Sequence, residues 1–221
     1  MDRRTPRAAP VTSVRLVLDR AARCLYDHAG RTFEASARRW VASTAHARGV
    51  PVEPVEAVSW LQRESGHPLR VPVGVIGPRD ATPAQLDAAR EVGEGIARCG
   101  LALICGGRQG VMQAVCEGAA AAGGISIGLL PDADPALANP HVGVAIATGI
   151  GEARNALIAR AALCLVAIGD SYGTLSEVAL GRQFGKRVIG MAGAARVDGV
   201  VHVDTAREAL EHVARVALNL D

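Results

Sequence analysis

The sequence predicts an α/β protein: a Rossmann-like, doubly wound parallel sheet with helices on both faces, preceded by a small N-terminal α+β appendage. Three observations lead to this prediction. From residue 71 onward, short runs of Val, Ile and Leu alternate with Ala-rich stretches of helical spacing. The apolar runs are continuous, which is typical of strands that are buried on both faces of a sheet. Strands and helices then alternate to the end of the chain, a pattern that favours right-handed crossovers between parallel strands.

The chain divides into three predicted segments. Residues 1–10 are rich in Arg and Pro and are expected to form a disordered tail, residues 11–66 a small N-terminal unit, and residues 71–221 a nucleotide-binding domain. Both tryptophans, Trp40 and Trp60, lie in the N-terminal unit, so it either has a small core of its own or docks onto the larger domain. Its predicted elements are a strand at 14–18, strands at 24–26 and 32–33 around a hairpin turn at 27–30, a helix at 35–47 and a short helix at 58–63.

In the larger domain, the first helix has the clearest start signals. Thr82 is a good N-cap, Pro83 occupies the first turn, and Gln85 lies three residues after the cap. This helix is predicted to run to Cys99 and to end at Gly100, because glycine is the usual residue after a helix. The predicted strands are 71–76, 101–105, 125–130, 142–147, 163–168 and 188–191, and the other predicted helices are 110–122, 152–162, 174–184 and 205–218.

Composition and charge exclude several classes of protein. The chain has 221 residues, 49% of them apolar and 21% charged, as in a globular protein. Residues 71–221 hold 12 basic and 15 acidic residues, so the larger domain lacks a basic nucleic-acid footprint. The best candidate for a membrane span, residues 156–168, is 13 residues long, and a bilayer needs about 20. Arg15 interrupts the first apolar run, so we expect no signal peptide and a cytoplasmic protein.

Lysine and cysteine usage narrows the chemistry further. Lys186 is the only lysine, and no glycine-rich loop ends in Lys-Ser or Lys-Thr, which argues against a P-loop NTPase. A Schiff-base enzyme would have to use this one residue. The five cysteines are scattered and odd in number, which indicates neither a metal site nor a disulfide framework. They are expected to be small core residues in a reducing compartment.

Four turns between a strand and the next helix have unusual compositions, and ligands bind at this edge of such sheets. The first, at 77–80, combines Gly77 with Arg79, which is suited to meeting an anion. The second, at 106–110, contains three glycines whose backbone N–H groups, together with the start of a helix, are suited to a phosphate. Arg108 would add a charge to this turn. For both turns, an ordinary strand–helix connection is the alternative.

The third and fourth turns contain candidate charged and aromatic groups. In the third, at 148–155, Arg154 is predicted to lie in the first turn of a helix, where a cation opposes the helix dipole. A nearby anionic ligand or a salt bridge with Glu152 or another acid would explain it. In the fourth, at 169–177, Tyr172 is a candidate platform for a planar ring. Glu177 is either functional or part of a capping box in which it accepts from the Thr174 N–H.

These motifs together resemble a known superfamily. The order Gly-Gly-x-x-Gly-Val-Met, then Arg-Asn, then Tyr-Gly-Thr-Leu-Ser-Glu resembles the LOG superfamily of Rossmann-like proteins, formerly called "possible lysine decarboxylases". The branch that it resembles is that of the molybdenum cofactor carrier proteins, with a looser relation to DprA. The resemblance runs over residues 73–191 and leaves residues 1–70 outside. It implies a Rossmann-like fold and self-association into a dimer or tetramer.

LOG enzymes cleave the N-glycosidic bond of nucleoside 5′-monophosphates, and the resemblance implies Arg154 and Glu177 as their catalytic pair. In this reading Arg154 holds substrate oxygens and keeps Glu177 ionised. Two departures oppose it. The family's Pro-Gly-Gly is replaced by Gly169-Asp170-Ser171, and its Arg-Lys pair is Arg154-Asn155, as in the carrier branch. The decarboxylase name fails separately, because no loop motif contains Lys186.

The leading hypothesis is therefore a binding protein for a phosphorylated planar-ring ligand, either a nucleotide or a molybdopterin-type cofactor. The alternative is a nucleoside 5′-monophosphate phosphoribohydrolase, and a minor one is a DprA-like nucleic-acid binder. No metal ligands are expected. The residues expected to bind the ligand are Gly77, Arg79, Gly106, Gly107, Arg108, Gly110, Thr148, Gly149, Asn155, Ser171, Tyr172, Gly173 and Thr174.

Overall fold

The structure of the protein, a computed structural model, describes residues 15–44 and 48–220 and contains two sheets. The smaller sheet is antiparallel, with the strand order β4-β3-β2-β1-β5. Its strands are β1 (Leu16–Asp19), β2 (Cys24–Tyr26), β3 (Arg31–Glu34), β4 (Arg39–Ala42) and β5 (Val50–Val52), and the helix α1 (Pro54–Arg63) follows them. The predicted tail at 1–10 lies outside the described residues, as does the beginning of the predicted strand at 14–18.

The larger sheet is parallel throughout, with the order β12-β11-β10-β6-β7-β8-β9. This confirms the predicted Rossmann-like fold class. Its strands are β6 (Val73–Ile76), β7 (Leu103–Cys105), β8 (Ser126–Leu130), β9 (Val144–Ala147), β10 (Leu165–Ile168), β11 (Val188–Met191) and β12 (Val201–His202). Its helices are α2 (Pro83–Arg98), α3 (Val111–Ala121), α4 (Asn155–Ala161), α5 (Tyr172–Gln183) and α6 (Ala206–Ala217), with 3₁₀ turns at Pro135–Leu137 and Gly151–Arg154.

Local signals placed several of these elements correctly. The capping box of α2 is present: Gln85 N donates to Thr82 Oγ1 at 3.3 Å, and Thr82 N donates to Gln85 Oε1 at 2.9 Å. The hairpin between β2 and β3 is also present, and the buried carboxylate of Asp27 accepts from the backbone N–H groups of Ala29 and Arg31. The short strands β5 and β12 were not predicted, because neither forms a distinct apolar run.

The predicted helix at 35–47 is wrong. Residues 39–42 of this stretch form β4, paired antiparallel with β3, and residues 45–47 lie outside the described part of the chain. Arg38 adopts a φ of 51° in the tight turn between the two strands. The rings of Phe33 and Trp40 meet at 5.0 Å across the strands, and Trp40 Nε1 donates to Leu218 O at 2.8 Å. These contacts with distant residues outweigh the helical spacing of the stretch.

The N-terminal unit docks onto the larger domain rather than standing apart with a core of its own. Its buried side chains, such as Leu16 and Leu61, belong to the same apolar cluster as α2 and α6. Arg38 donates to the carbonyls of Val216 and Ala217 at the end of α6. The unit is therefore attached to the larger domain through both its core and the side chain of Arg38.

Successive residues of each central strand point to opposite sides of the larger sheet. Val166 and Ile168 of β10 pack with α2, α3 and α6, whereas Leu165 and Ala167 pack with α4 and α5. We refer to these sides as the α2 face and the α4 face. No described helix is both long and apolar enough to cross a membrane.

Candidate functional site

A cavity of about 540 Å³ lies at the carboxyl edge of the larger sheet. It is formed by the turns that follow β6 and β10, the 3₁₀ turn before α4, and the first turns of α3 and α5. Buried, half-buried and exposed side chains all contribute to its wall. The lining residues are Gly77, Pro78, Arg79, Asp80, Met112, Glu152, Arg154, Asn155, Asp170, Ser171, Gly173, Thr174 and Glu177.

Arg154 and Glu177 face each other at the bottom of this cavity. Arg154 Nη1 lies 3.4 Å from Glu177 Oε1, and the two residues are only 3% and 6% exposed. Arg154 also approaches Glu152 at 3.6 Å and donates to the side-chain oxygen of Asn155. Its Nε, however, is buried without a hydrogen-bond partner. Since a buried unsatisfied donor is costly, the guanidinium keeps a hydrogen-bonding group that its present partners do not use.

Burial raises the pKa of Glu177 to about 8, although the nearby charge of Arg154 lowers it. The expectation that Arg154 keeps Glu177 ionised is therefore wrong, because desolvation of the carboxylate outweighs the attraction of the guanidinium. A neutral Glu177 leaves the positive charge of Arg154 less compensated. At neutral pH the bottom of the cavity thus combines a cation with a carboxylic acid that has a proton to donate.

Glu177 does not form the capping box that its spacing suggested. The helix α5 begins two residues earlier than predicted, with Ser171 as its N-cap, and Ser171 Oγ accepts from Thr174 N at 3.1 Å. Glu177 therefore lies a full turn inside the helix, where its side chain turns toward Arg154 instead of the helix start. The alternative that Arg154 forms a salt bridge with an acid holds for Glu152, whose Oε2 lies 3.6 Å from Arg154 Nη2.

The turn after β6 contacts the third predicted turn directly. Arg79 Nη2 lies 3.2 Å from Glu152 Oε1, and this pair is half exposed at the cavity wall. Gly77 is required for close packing: a Cβ there would lie 2.5 Å from Val111 Cγ1 and 2.6 Å from Ile168 O. The structure thus brings the predicted residues Gly77, Arg79 and Arg154 together around one cavity.

The glycine-rich 106–110 turn lies beside the cavity but is not part of its wall. Gly106 allows the approach of Arg154, because a Cβ would lie 2.6 Å from Arg154 Nη2. Gly110 has a φ of 69°, and a Cβ there would lie 2.2 Å from Arg79 O. Gly107 packs on the backbone of Gly128. The glycines therefore let this turn pack closely against the turn at 77–80, the turn at 148–155 and strand β8.

Four other predicted residues also lie outside the cavity wall. Arg108 is paired with Asp132 of the loop between β8 and β9. Thr148 Oγ1 donates to Leu130 O at 2.7 Å, and Gly149 N donates to Asp132 O at 3.0 Å, so both hold the end of β9. Tyr172, at the first position of α5, is 94% exposed and contacts no described ring.

Sequence reasoning did not select five residues that line the cavity. They are Pro78, Asp80, Met112, Glu152 and Asp170. Met112 belongs to the buried core, but its side chain also lines this space. Asp80 and Asp170 have no ion-pair partner among the described residues. Their position at the ends of neighbouring strands was the available signal, because acids at this edge are expected to face the ligand.

Within residues 15–44 and 48–220, no three His, Cys, Asp or Glu side chains are grouped so that they could hold a metal ion.

Comparison with known proteins places this geometry in a family context. The model of the SLOG cluster4 family matches residues 70–218. A relative from Archaeoglobus fulgidus, called "uncharacterized protein", is 36% identical over 140 residues, which are 63% of this chain and 92% of the relative.

Solved structures point to the same group. The molybdenum cofactor binding protein of Rippkaea orientalis is 33% identical, with a TM-score of 0.63 over 67% of this chain and 98% of its own. The molybdenum cofactor carrier protein of Chlamydomonas reinhardtii is 34% identical, with a TM-score of 0.61 over 66% of this chain and 98% of its own. DprA of Streptococcus pneumoniae, at 18% identity, a TM-score of 0.52 and coverage of 63% of this chain and 60% of its own, shares the fold. These matches confirm the predicted resemblance.

Proposed function

The chain belongs to the SLOG cluster4 family, and on this premise we propose that it binds a phosphorylated ligand with a planar ring at the carboxyl edge of the larger sheet. The ligand is a nucleotide or a molybdopterin-type cofactor. The related proteins of known structure are named for the molybdenum cofactor that they bind or carry, which supports the second of these ligands.

The observation that carries this proposal is the unpartnered Nε of Arg154. This donor is buried at the bottom of a cavity large enough for a mononucleotide, and it belongs to a cation whose main partner, Glu177, has a raised pKa. An anionic oxygen placed there would satisfy the donor and compensate the charge. The residues present therefore fit a phosphate group, including the phosphate of a molybdopterin-type cofactor.

The start of α5 offers a second set of groups for the same anion. The hydroxyls of Ser171 and Thr174 lie 2.9 Å apart at the cavity wall, and Gly173 leaves their neighbourhood open. The N-terminus of this helix also carries a partial positive charge. In the proposed complex, Asn155, Gly77 and Arg79 border the ligand from the opposite turns.

The predicted residues outside the cavity wall would contact more distant parts of the ligand or hold the wall in place. The backbone N–H groups of the 106–110 turn, with Arg108, would bind a second anionic group of a longer ligand. Thr148 and Gly149 would fix the turn before Arg154. The exposed ring of Tyr172 lies at the start of the same helix as Ser171, where a bound planar ring can stack on it.

Equilibrium calorimetry with AMP, GMP and molybdopterin tests the proposal. We expect binding in the micromolar range for at least one ligand and a loss of about tenfold or more in Arg154→Gln, because a charge-assisted hydrogen bond is removed. Arg160→Gln is the matched control, since Arg160 belongs to the same helix but stacks on Phe184 away from the cavity. Millimolar binding of all three ligands, or an equal effect of both variants, would refute the proposal.

The second candidate function is a nucleoside 5′-monophosphate phosphoribohydrolase. One observation favours it: Glu177, with a pKa of about 8, is suited to give a proton to a leaving base, while Arg154 lies 3.4 Å away to hold the phosphate or ribose oxygens. The replacement of the family's Pro-Gly-Gly by Gly169-Asp170-Ser171 opposes it, because the enzymes' motif is not intact. Chromatography of free base released from AMP decides between the two functions, and turnover that is unchanged in Glu177→Gln would exclude this role.

We also propose that the protein is a homo-oligomer, a dimer or a tetramer. Val144 and Ile146 of the edge strand β9 are exposed, and their partners in β8, Ile127 and Leu129, belong to the core of the α4 face. The exposed pair therefore lies on that same face, beyond the reach of α4 and α5. A second copy would cover it. Light scattering should give a mass above that of the monomer, and a monomer at all concentrations would contradict the proposal.

Two further proposals concern the compartment of the protein and its binding to nucleic acid. We place the protein in the cytoplasm, because all five cysteines are free thiols. A DprA-like role in binding single-stranded nucleic acid is supported by the shared fold alone. A gel-shift titration at several salt concentrations tests it, since such binding weakens steeply as salt rises.

A further inference from the structure

We infer that Ser176 is a positioning residue that, through the amide of Asn155, holds the guanidinium of Arg154 in place for a bound anion. This inference rests on the proposed function, which places the phosphate at Arg154. Ser176 is an exposed residue of α5 and does not line the cavity. Sequence reasoning gave it no role, because its partner Asn155 lies 21 residues away, at the start of α4.

Three hydrogen bonds connect the start of α5 to Arg154. Ser176 Oγ donates to Gly173 O at 2.7 Å, and Asn155 Nδ2 donates to Ser176 Oγ at 3.0 Å. The side-chain oxygen of Asn155 accepts from Arg154 Nη1. Asn155 is 5% exposed, so its amide has little access to water as another partner. The hydrogen bonds therefore run without a gap from a backbone carbonyl to the cation at the bottom of the cavity.

The chemistry of the two end groups fixes the direction of all three bonds. The Gly173 carbonyl only accepts, so the single proton of the Ser176 hydroxyl points to it and the hydroxyl oxygen faces Asn155 as an acceptor. This acceptor selects the Nδ2 end of the amide and leaves the oxygen end for Arg154, a side chain that only donates. Without Ser176 Oγ, the amide is free to rotate and to turn its own donors toward the guanidinium. Ser176 thus selects the orientation that supports Arg154.

The bond to Asn155 holds Arg154 without neutralising it. The amide oxygen is an uncharged acceptor, whereas the carboxylate of Glu152 approaches only to 3.6 Å and is largely exposed to solvent. The carboxyl group of Glu177, the other acid nearby, has a raised pKa because it is buried. The charge of Arg154 therefore remains available to an anionic ligand. Because the cation is fixed before the ligand binds, less side-chain freedom is lost on binding.

A matched control separates this role from an ordinary one. A helix serine that donates to a carbonyl of the preceding turn is common and needs no further function. Ser176 differs because it also accepts from a buried side chain of another helix. Ser65 has the same kind of bonds, since it donates to Leu61 O and accepts from His67 N, but it lies after α1 in the N-terminal unit and does not line the cavity.

The experiment is a calorimetric titration of the full chain with inorganic phosphate and with AMP. Ser176→Ala should lower both affinities by about fivefold, because the loss of its hydrogen bonds frees the amide and, through it, the cation. Ser176→Thr keeps the hydroxyl and should bind like the wild type, as should Ser65→Ala. In the Asn155→Ala background, Ser176→Ala should cause no further loss, since the connection to Arg154 is already broken there.

Different outcomes contradict the two proposals. Suppose that AMP binding is sensitive to Arg154→Gln. If Ser176→Ala then binds as tightly as the wild type, if Ser176→Thr binds as weakly as Ser176→Ala, or if Ser176→Ala has the same effect with and without Asn155, this inference fails and the proposed function stands. If the wild type binds neither phosphate nor AMP, both fail. Alanine is a better helix former than serine, so Ser176→Ala is expected to fold. Should Asn155→Ala not fold, the contrast between Ser176→Ala and Ser176→Thr decides.

Discussion

The two faces of the larger sheet are covered to different extents. On the α2 face, α2 and α3 pack so closely that their backbones touch, and the core continues through α6 and α1 into the N-terminal unit. On the α4 face, the described helices are α4, with seven residues, and α5, and the side chains at β9 remain exposed. Arg154 and Glu177 lie at the start of α4 and within α5. The α2 face therefore buries most of the shared core, whereas the α4 face borders the charged site and leaves apolar side chains of β9 exposed.

The largest expected effect is a pH dependence of the free energy of unfolding, and it arises at Glu177 on the α4 face. The folded protein holds the proton of Glu177 up to about pH 8, whereas an unfolded chain releases it near 4.5. Between these values the folded state binds more protons, so its free energy of unfolding falls as the pH rises, by up to about 1.4 kcal/mol per pH unit. Glu177→Gln removes this dependence. Urea unfolding of ligand-free protein from pH 5 to 8 measures it, and parallel curves for the two proteins would contradict a neutral Glu177.

The next prediction compares the packing of the two faces by replacing one helix glycine on each face with alanine. A Cβ at Gly93 of α2 would lie 2.1 Å from Val115 O, a backbone atom of α3 that cannot move without the helix. A Cβ at Gly181 of α5 would lie 2.4 Å from Leu165 Cδ1, a methyl group that can rotate. We expect Gly93→Ala to lower the free energy of unfolding by about 3 kcal/mol and Gly181→Ala by about 1 kcal/mol.

Urea titration measures both variants, and Gly173→Ala serves as the control. Gly173 has a negative φ, and the nearest atom to its added Cβ is 3.7 Å away. Its replacement should leave stability within about 0.5 kcal/mol of the wild type. Equal losses for Gly93→Ala and Gly181→Ala would remove the distinction between the faces.

A smaller effect on stability tests how the N-terminal unit is attached to the α2 face. Trp40→Phe keeps a ring against Phe33 but loses the hydrogen bond from Nε1 to Leu218 O. We expect a loss of about 1 kcal/mol in thermal or urea unfolding, with a single transition because the core is shared. Two separate transitions would show that the unit folds independently.

The smallest effect on stability is expected at the exposed strand β9 on the α4 face. Ile146→Asp should change the free energy of unfolding of the monomer by less than about 0.5 kcal/mol, because Ile146 is already exposed. The same change should dissociate the proposed oligomer, as measured by light scattering. Val50→Asp is the control, since Val50 is likewise exposed on an edge strand, β5, but in the other sheet. Dissociation by both variants, or by neither, would contradict an interface on the α4 face.

Much of the fold could be predicted from the sequence because its signals are local. The continuous apolar runs around residues 73–76 and 165–168 identified buried parallel strands, and the Thr82 capping box placed the start of α2 within one residue. The helix predicted at 35–47 failed for the opposite reason. Its fate depends on Phe33 across the strand pair and on Leu218 near the end of the chain, and no window around residue 40 contains Leu218.

In the candidate site, too, some features could be predicted from the sequence and others depended on the fold. The sequence by itself determined the four turns at the carboxyl edge and the candidates Arg154 and Glu177, since every strand-to-helix turn of a parallel sheet lies at that edge. Only the tertiary structure decided that Glu177 faces Arg154 instead of capping α5, and that burial raises its pKa. It also decided that Ser176 contacts the amide of Asn155. Desolvation and hydrogen bonds between distant segments depend on which atoms surround a group, and that environment exists only once the chain has folded.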